Sequence, residues 1–272
     1  MDNGELGILA AGLVLAGAAG GLIAGLLGVG GGIVVVPILY HVLGLIGVDE
    51  GLRMHIAIGT SLATIVPTSI SSLMAHSRKG AVDWPLLRRW AIPMFIGVVI
   101  GAIVAGYARG QALALIFAAV AIPVAIYLAF AREDRRIADR LPRGPLGLAM
   151  PAAIGGVSTM MGIGGGTLGV PAMSLCGMPI IRAVATASAF GVIVSIPGTV
   201  GAIVAGWGAK GLPPYSLGYV NLLGFLLIAP VSFFAAPIGA QWAHAMDRRR
   251  LRVMFALFVA VTAARMLYDV LA

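Results

Sequence analysis

Few side chains in this sequence have chemistry to offer, and those that do gather around two runs of glycine. Gly28-Val29-Gly30-Gly31-Gly32 is followed by Pro37, and Gly162-Ile163-Gly164-Gly165-Gly166 by Pro171, with the same internal spacing. Glycine inside a helix is unfavourable by about 1 kcal/mol relative to alanine, so three in a row predict that a helix stops at each run. Pro37 and Pro171 add to the break, because neither can donate to the carbonyl four residues back, at Ile33 or Thr167. A helix restarting just after such a run presents unpaired N–H groups and the positive end of its dipole, a combination that attracts an anion. On this reading Gly28, Gly30, Gly31, Gly32, Gly162, Gly164, Gly165 and Gly166 form a substrate-binding backbone, to which Thr167 adds a hydroxyl. The competing reading is that the glycines merely let helices cross closely, the role expected of Gly17, Gly21 and Gly25 and of Gly97 and Gly101.

Hydroxyl-bearing residues form the second group. Thr60, Ser61, Thr64, Thr68 and Ser69 share one apolar segment, and Thr186, Ser188 and Ser195 correspond to them in another. Thr60 and Ser61 sit where Ala187 and Ser188 sit, so Thr60, Ser61 and Ser188 are candidates to line the same cavity, with Ala187 removing one hydroxyl from the second copy. The local alternative is that these hydroxyls bond to the preceding turn or bridge to a neighbouring helix. His41, His55 and His76 fall toward segment ends, where histidine meets solvent, and His55 is also a candidate to line the pathway. Arg265 is a cation within an apolar segment near its end, a place from which it reaches the membrane surface more readily than a substrate.

Other chemistries find no residues to carry them. No nucleophile is paired with a base, and no His, Cys, Asp and Glu group has metal-ligand spacing, so neither an enzyme nor a metal or cofactor site is expected. The sole cysteine, Cys176, reads as a packed small residue. Asp83 and Asp247 adjoin basic loops and Asp269 lies near the last residue, which leaves no carboxylate at mid-segment to relay protons or to hydrolyse a bond. Gly28 to Gly32 is not a dinucleotide loop, because its sixth position is Ile33 and no strand-helix-strand unit surrounds it.

The elements that must hold these residues are set by composition. Of 272 residues, 60% are apolar and 10% charged, against about 25% charged in a soluble domain. Segments near 6 to 27, 33 to 47, 55 to 75, 90 to 108 and 111 to 131, then 145 to 162, 166 to 178, 183 to 206, 218 to 243 and 251 to 271, read as spans or part-spans of an all-α polytopic membrane protein. The first is read as retained rather than as a cleaved leader, because Asp2 and Glu5 replace a basic start. The net charge of +8 is distributed in clusters: Arg78, Lys79, Arg88 and Arg89; Arg132, Arg135, Arg136, Arg140 and Arg143; and Arg248, Arg249, Arg250 and Arg252. These loops are expected in the cytoplasm as topology anchors, with no nucleic-acid partner, and the sparsely charged connections at Arg53, Arg109 and Lys210 on the other side.

The two glycine runs belong to a longer internal repeat. Val82-Asp83 corresponds to Val220-Asn221, Gly101-Ala102 to Gly239-Ala240, and Phe117 to Phe255. Residues 1–131 form a first transmembrane repeat, 132–143 a charged cytoplasmic linker, and 144–272 a second repeat. Five segments per repeat is an odd number, so the second copy is inverted relative to the first, and the basic clusters then all fall on one side. The second segment of each repeat is short and reads equally as half of a re-entrant pair, which leaves the parity unchanged. Inversion places the two helix breaks at the bilayer midplane, facing each other, and both termini outside an inner (plasma) membrane.

The sequence resembles the sulfite exporter family named for TauE and SafE, also called the toluene sulfonate uptake permeases. The resemblance rests on Leu27 to Gly32 with Pro37, its second copy from Gly162 to Pro171, the stretch Ala57-Ile58-Gly59-Thr60-Ser61, and Ala236-Pro237-Ile238-Gly239-Ala240 followed by Leu251-Arg252 and Phe255. It covers nearly the whole chain. It implies a transporter of sulfite, a sulfonate or another small organic anion such as a carboxylate, with export the expected direction although members of the family differ in cargo and direction. On the residues alone, an anion channel or a membrane enzyme acting on a small anion or lipid is the alternative.

Overall fold

In the computed structural model the described residues are 3–28, 30–130, 138–242 and 248–271. Asp2, Val29, Arg132, Arg135, Arg136 and Asp247 lie outside them, as do the side chains of Glu5, Leu27, Arg248 to Arg252, Phe255 and Asp269. Among the described residues ten helices follow one another: α1 (Asn3–Leu27), α2 (Gly32–Leu45), α3 (Glu50–Ser77), α4 (Trp84–Tyr107), α5 (Gly110–Phe130), α6 (Gly144–Met161), α7 (Gly166–Leu175), α8 (Ile180–Ala205), α9 (Leu222–Trp242) and α10 (Arg248–Leu271). Two two-residue strands, β1 (Ser216–Leu217) and β2 (Val220–Asn221), pair antiparallel just before α9.

Local chemistry sets most of these bounds. Asp49 caps α3 by accepting the Gly51 N–H at 2.9 Å, with Glu50 in the first turn near the positive end of the dipole. Asp83 caps α4 through the Leu86 N–H at 3.0 Å, and Pro85 stands in the first turn, where its missing N–H removes nothing. Asn221 caps α9 by accepting the Gly224 N–H at 2.8 Å. The expected segment from 218 therefore begins as a helix only at Leu222, the preceding residues being held in the β1–β2 hairpin.

Helices α3, α4, α8 and α9, together with Gly110–Tyr127 of α5, are long and apolar enough to cross a membrane. Side chains on α4 such as Ile92, Phe95, Ile96 and Ile103 are half or more exposed, the apolar exterior that lipid requires. The second helix of each series is short. At 1.5 Å per residue, the ten residues of α7 reach about 15 Å and the 14 of α2 about 21 Å, less than the ~30 Å of hydrocarbon. Helix α6 starts where Arg89 donates to the Pro142 carbonyl (3.0 Å), and α7 ends where the Ala138 N–H donates to the Leu175 carbonyl (3.1 Å). Thus α6 and α7 begin and finish at one end of the bundle, as the two arms of a hairpin. At the opposite end, Gly44 in the last turn of α2 faces Arg53 in the first turn of α3.

The main helix pairs are α1 with α9, α4 with α6, α3 with α8 and α5 with α10. Along α1, Gly17, Gly21 and Gly25 lie against Ile228, Ser232 and Ala236 of α9; along α4, Gly97 and Gly101 lie against Ala152 and Gly156 of α6. Numbers rise together in both pairs, so each pair runs parallel. A Cβ on Gly25 would collide with the Ala236 carbonyl, and one on Gly97 with that of Ala152. These glycines let backbone meet backbone, the close approach that helix association in lipid relies on. Helices α3 and α8 cross antiparallel at the centre, with Ser69 beside Gly191 and Leu62 beside Gly198.

Candidate functional site

Helix α1 stops at Gly28, whose φ of 65° is left-handed, and Gly30 (82°) and Gly31 (72°) continue in that region before α2 starts at Gly32. Helix α6 stops at Gly162 (φ 68°), where Gly162 N–H donates to the Thr159 carbonyl (3.1 Å) and Ile163 N–H to that of Ser158 (2.9 Å). That pair of bonds closes a helix end on a left-handed glycine. Beyond each break, part of the next helix start is satisfied internally. Val34 and Val35 donate to the Gly31 carbonyl at 3.0 and 3.2 Å, Thr167 to Gly164 at 3.2 Å, and Gly169 to Gly165 at 2.8 Å. Fewer amides are thus left for a ligand than four at each helix start.

The two runs meet. A Cβ built on Gly30 would lie 2.9 Å from the Gly164 Cα, and one on Gly32 2.8 Å from Ile65 Cδ1 and close to the Gly162 carbonyl. Ser61 on α3 donates to that same Gly162 carbonyl at 2.7 Å, so a side chain of α3 holds the turn between α6 and α7. Gly30, Gly32, Gly162, Gly164 and Ser61 therefore converge, all buried, with Ile65 as their wall. Thr167 and Gly166 are buried in the first turn of α7.

Other candidates point elsewhere. Gly28 packs on the Val184 backbone of α8, Gly31 on Gly20 of α1, and Gly165 on Phe190 and Val194 of α8. Ser188 donates to the Ala185 carbonyl of its own helix at 2.7 Å. Thr60 faces the entry to α9, where its hydroxyl accepts the Asn221 N–H at 2.9 Å. Thr186 does the same for the Asp83 N–H at 3.0 Å. The hydroxyls with matching environments are thus Thr60 and Thr186, one residue away from the pairing of Thr60 with Ala187. His55 sits between the carbonyls of Gly51 (3.1 Å) and Ala108 (3.0 Å), beside a crevice of about 20 Å³ that also touches Ile58 and Thr159. His76, expected at a solvated end, is instead buried with Nε2 3.2 Å from the Gly25 carbonyl. Arg265 is exposed on α10.

Sequence reasoning passed over Ile65, and over Phe190, which stacks on Trp90 at 5.5 Å between ring centroids and packs against Gly165 and Gly169. Ser69 and Ser195, both among the hydroxyls expected to correspond, form a pair by position. Each lies nine residues after its helix's latching threonine, Thr60 or Thr186, and each carries a buried hydroxyl with no hydrogen-bond partner among the described residues. That shared spacing was the signal. Among the described residues no group of three or more His, Cys, Asp or Glu converges as a metal site. Burial pushes the Cys176 thiol above its ordinary range, away from the thiolate a nucleophile needs.

A family model described as sulfite exporter TauE/SafE matches residues 13–266. A probable membrane transporter protein of Haemophilus influenzae is 34% identical over 93% of this chain and 96% of its own length. One from Methanocaldococcus jannaschii is 27% identical, covering 94% of each chain. The probable membrane transporter protein YunE of Bacillus subtilis is 26% identical over 94% of this chain and 97% of its own. No solved structure matches the chain significantly.

Proposed function

The chain belongs to the sulfite exporter TauE/SafE family, and from that premise we propose that it exports sulfite, a sulfonate or a similar small organosulfur anion, bound between the first turns of α2 and α7. The observation that carries this reading is the meeting of Gly30 with Gly164, which brings two helix starts together in a buried, hydroxyl-bearing interior. Helix dipoles and amides supply the attraction there, since neither run from glycine to proline contains a basic residue. The loops touch, so substrate enters when they part toward one side.

The repeats are inverted in this proposal, with residues 132–143 in the cytoplasm and both termini outside the inner membrane. The packing supports it: exchanging α1–α5 with α6–α10 turns the α1–α9 pair into α6–α4 and leaves α3–α8 and α5–α10 unchanged. The bond from Asn221 to Thr60 likewise becomes that from Asp83 to Thr186. Two breaks that touch each other lie close to the axis relating them, which for inverted repeats runs through the bilayer midplane. Cysteines introduced at 140 and at 272 should label from opposite sides with an impermeant reagent; labelling from the same side would rule out inversion.

The site itself is tested by binding of sulfite and sulfonates to purified protein. Thr167→Asp puts a carboxylate at a buried position in the first turn of α7, where the dipole offsets part of the desolvation cost, so the unfolding midpoint is measured beside binding to separate loss of site from loss of fold. The substitution should weaken anion binding on the order of tenfold or more, whereas Arg265→Gln should leave it unchanged. A large loss in the second with none in the first would move the site away from the glycine breaks.

A further inference from the structure

At the end of the bundle where α6 begins and α7 finishes, an open cavity of about 340 Å³ is lined by Arg89, Arg140, Arg143 and Arg182, with Asp139 as its acidic member. The four guanidinium groups come from separate parts of the chain: Arg89 from α4, Arg182 from the first turn of α8, and Arg140 and Arg143 from the segment leading into α6. A positively charged loop that only fixes membrane orientation needs its charges near the surface, not gathered from several elements around one hollow.

The hollow is built. The Ala138 N–H donates to the Leu175 carbonyl, and Gly177, at φ 84°, turns tightly under the Asp139 backbone. Arg89 is held by the Pro142 carbonyl at 3.0 Å, and Arg182 by Asp83 at 3.4 Å. Each of those two bonds uses one nitrogen of a five-donor fork, leaving other donors for a ligand. Four guanidinium groups against Asp139 and the Asp83 that pairs with Arg182 still leave an excess of positive charge among the described residues, and arginine pairs with phosphate oxygens in bidentate fashion. Next to this charge the surface turns apolar: Ile92 and Phe95 follow Arg89 on α4, and Leu146 and Leu148 follow Arg143 on α6, all half or more exposed. Basic pockets between membrane helices on the cytoplasmic side suit phospholipid headgroups.

We propose that this cavity binds a phosphate group, presented by an anionic phospholipid headgroup whose acyl chains lie along α4 and α6, or as a free phosphate. A ligand there would join α4 to the end of α7 and to the start of α8. The site lies apart from the glycine breaks and does not depend on the proposed transport function.

The test is thermal unfolding of the purified full-length protein in detergent, with cardiolipin, with inorganic phosphate or with phosphatidylcholine, for wild type and for R140Q/R143Q. A second variant, R89Q, guards against loss of fold in the first. Anionic lipid is expected to raise the wild-type midpoint by several degrees, with the shift reduced in both variants and weakened by salt. Phosphatidylcholine is expected to have little effect. A variant-sensitive shift with inorganic phosphate alone would assign the site to a free anion. Equal shifts in wild type and variants, or no shift with either phosphate source, would overturn the proposal.

Discussion

Gly30→Ala is expected to reduce transport to background, while Gly47→Ala leaves it near the wild-type rate. Both glycines have left-handed backbone, at φ 82° and 77°, so alanine meets a similar conformational penalty of roughly 1–2 kcal/mol at each. Their surroundings differ. Around a Cβ on Gly47 there is nothing within 4 Å, whereas one on Gly30 would stand 2.9 Å from the Gly164 Cα. That neighbour is backbone, with no side chain to swing aside, so the two loops have to move apart. Subtracting the Gly47 variant from the Gly30 variant therefore isolates the contact between the breaks. Uptake into proteoliposomes and the unfolding midpoint would be measured for both. Wild-type transport by Gly30→Ala, with no greater loss of stability than Gly47→Ala, would show that the contact has no part in transport.

The largest structural effect is expected from Gly25→Leu and Gly97→Leu. In each case the first added carbon falls on a carbonyl of the facing helix, Ala236 or Ala152, and the remaining carbons have to go further in the same direction. Overpacking a soluble core costs typically about 1–3 kcal/mol. Here the conflict is with main chain, and in lipid there is no hydrophobic force between helices to hold them together while they adjust. Neither variant should yield a monodisperse peak on gel filtration. Gly12→Leu is the control, since it lies on the same α1 with nothing within 4 Å of its added carbon, and it should behave as wild type. A monodisperse Gly25→Leu protein with an unchanged unfolding midpoint would mean that α1 and α9 are further apart than described.

Much of the helix order was legible because apolar runs and glycine punctuation are strong signals. The helix starts were less so, for a physical reason. Segments expected at 55 and 90 begin at Glu50 and Trp84, since hydropathy discounts charged first turns in which Asp49 and Asp83 are capping residues. Arg88 and Arg89 read as loop charges, yet they lie in the second turn of α4 with exposed side chains. At the site, the identical spacing of the two glycine runs and their prolines was legible in the sequence itself. That Gly30 would touch Gly164 was not visible, because it depends on how α3 and α8 cross. Nor was the role of Ser61 distinguishable from that of Ser188: both are serines in apolar helices, and only the fold decides that one reaches across to Gly162 while the other bonds within its own turn.

The pairing of α1 with α9, α4 with α6, α3 with α8 and α5 with α10 bears on how the chain is made. A ribosome releases α1 through α5 before any of these partners exists. During that interval Gly17, Gly21 and Gly25, and Gly97 and Gly101, present bare grooves to lipid, and Ser61 has no Gly162 carbonyl to meet. The early helices can be inserted and α2 can meet α1 and α3, but α1, α3, α4 and α5 still lack their main partners, so the finished arrangement forms late. A stalled or truncated product is therefore left with grooves that other small-residue helices can occupy, which makes it a natural substrate for membrane quality control.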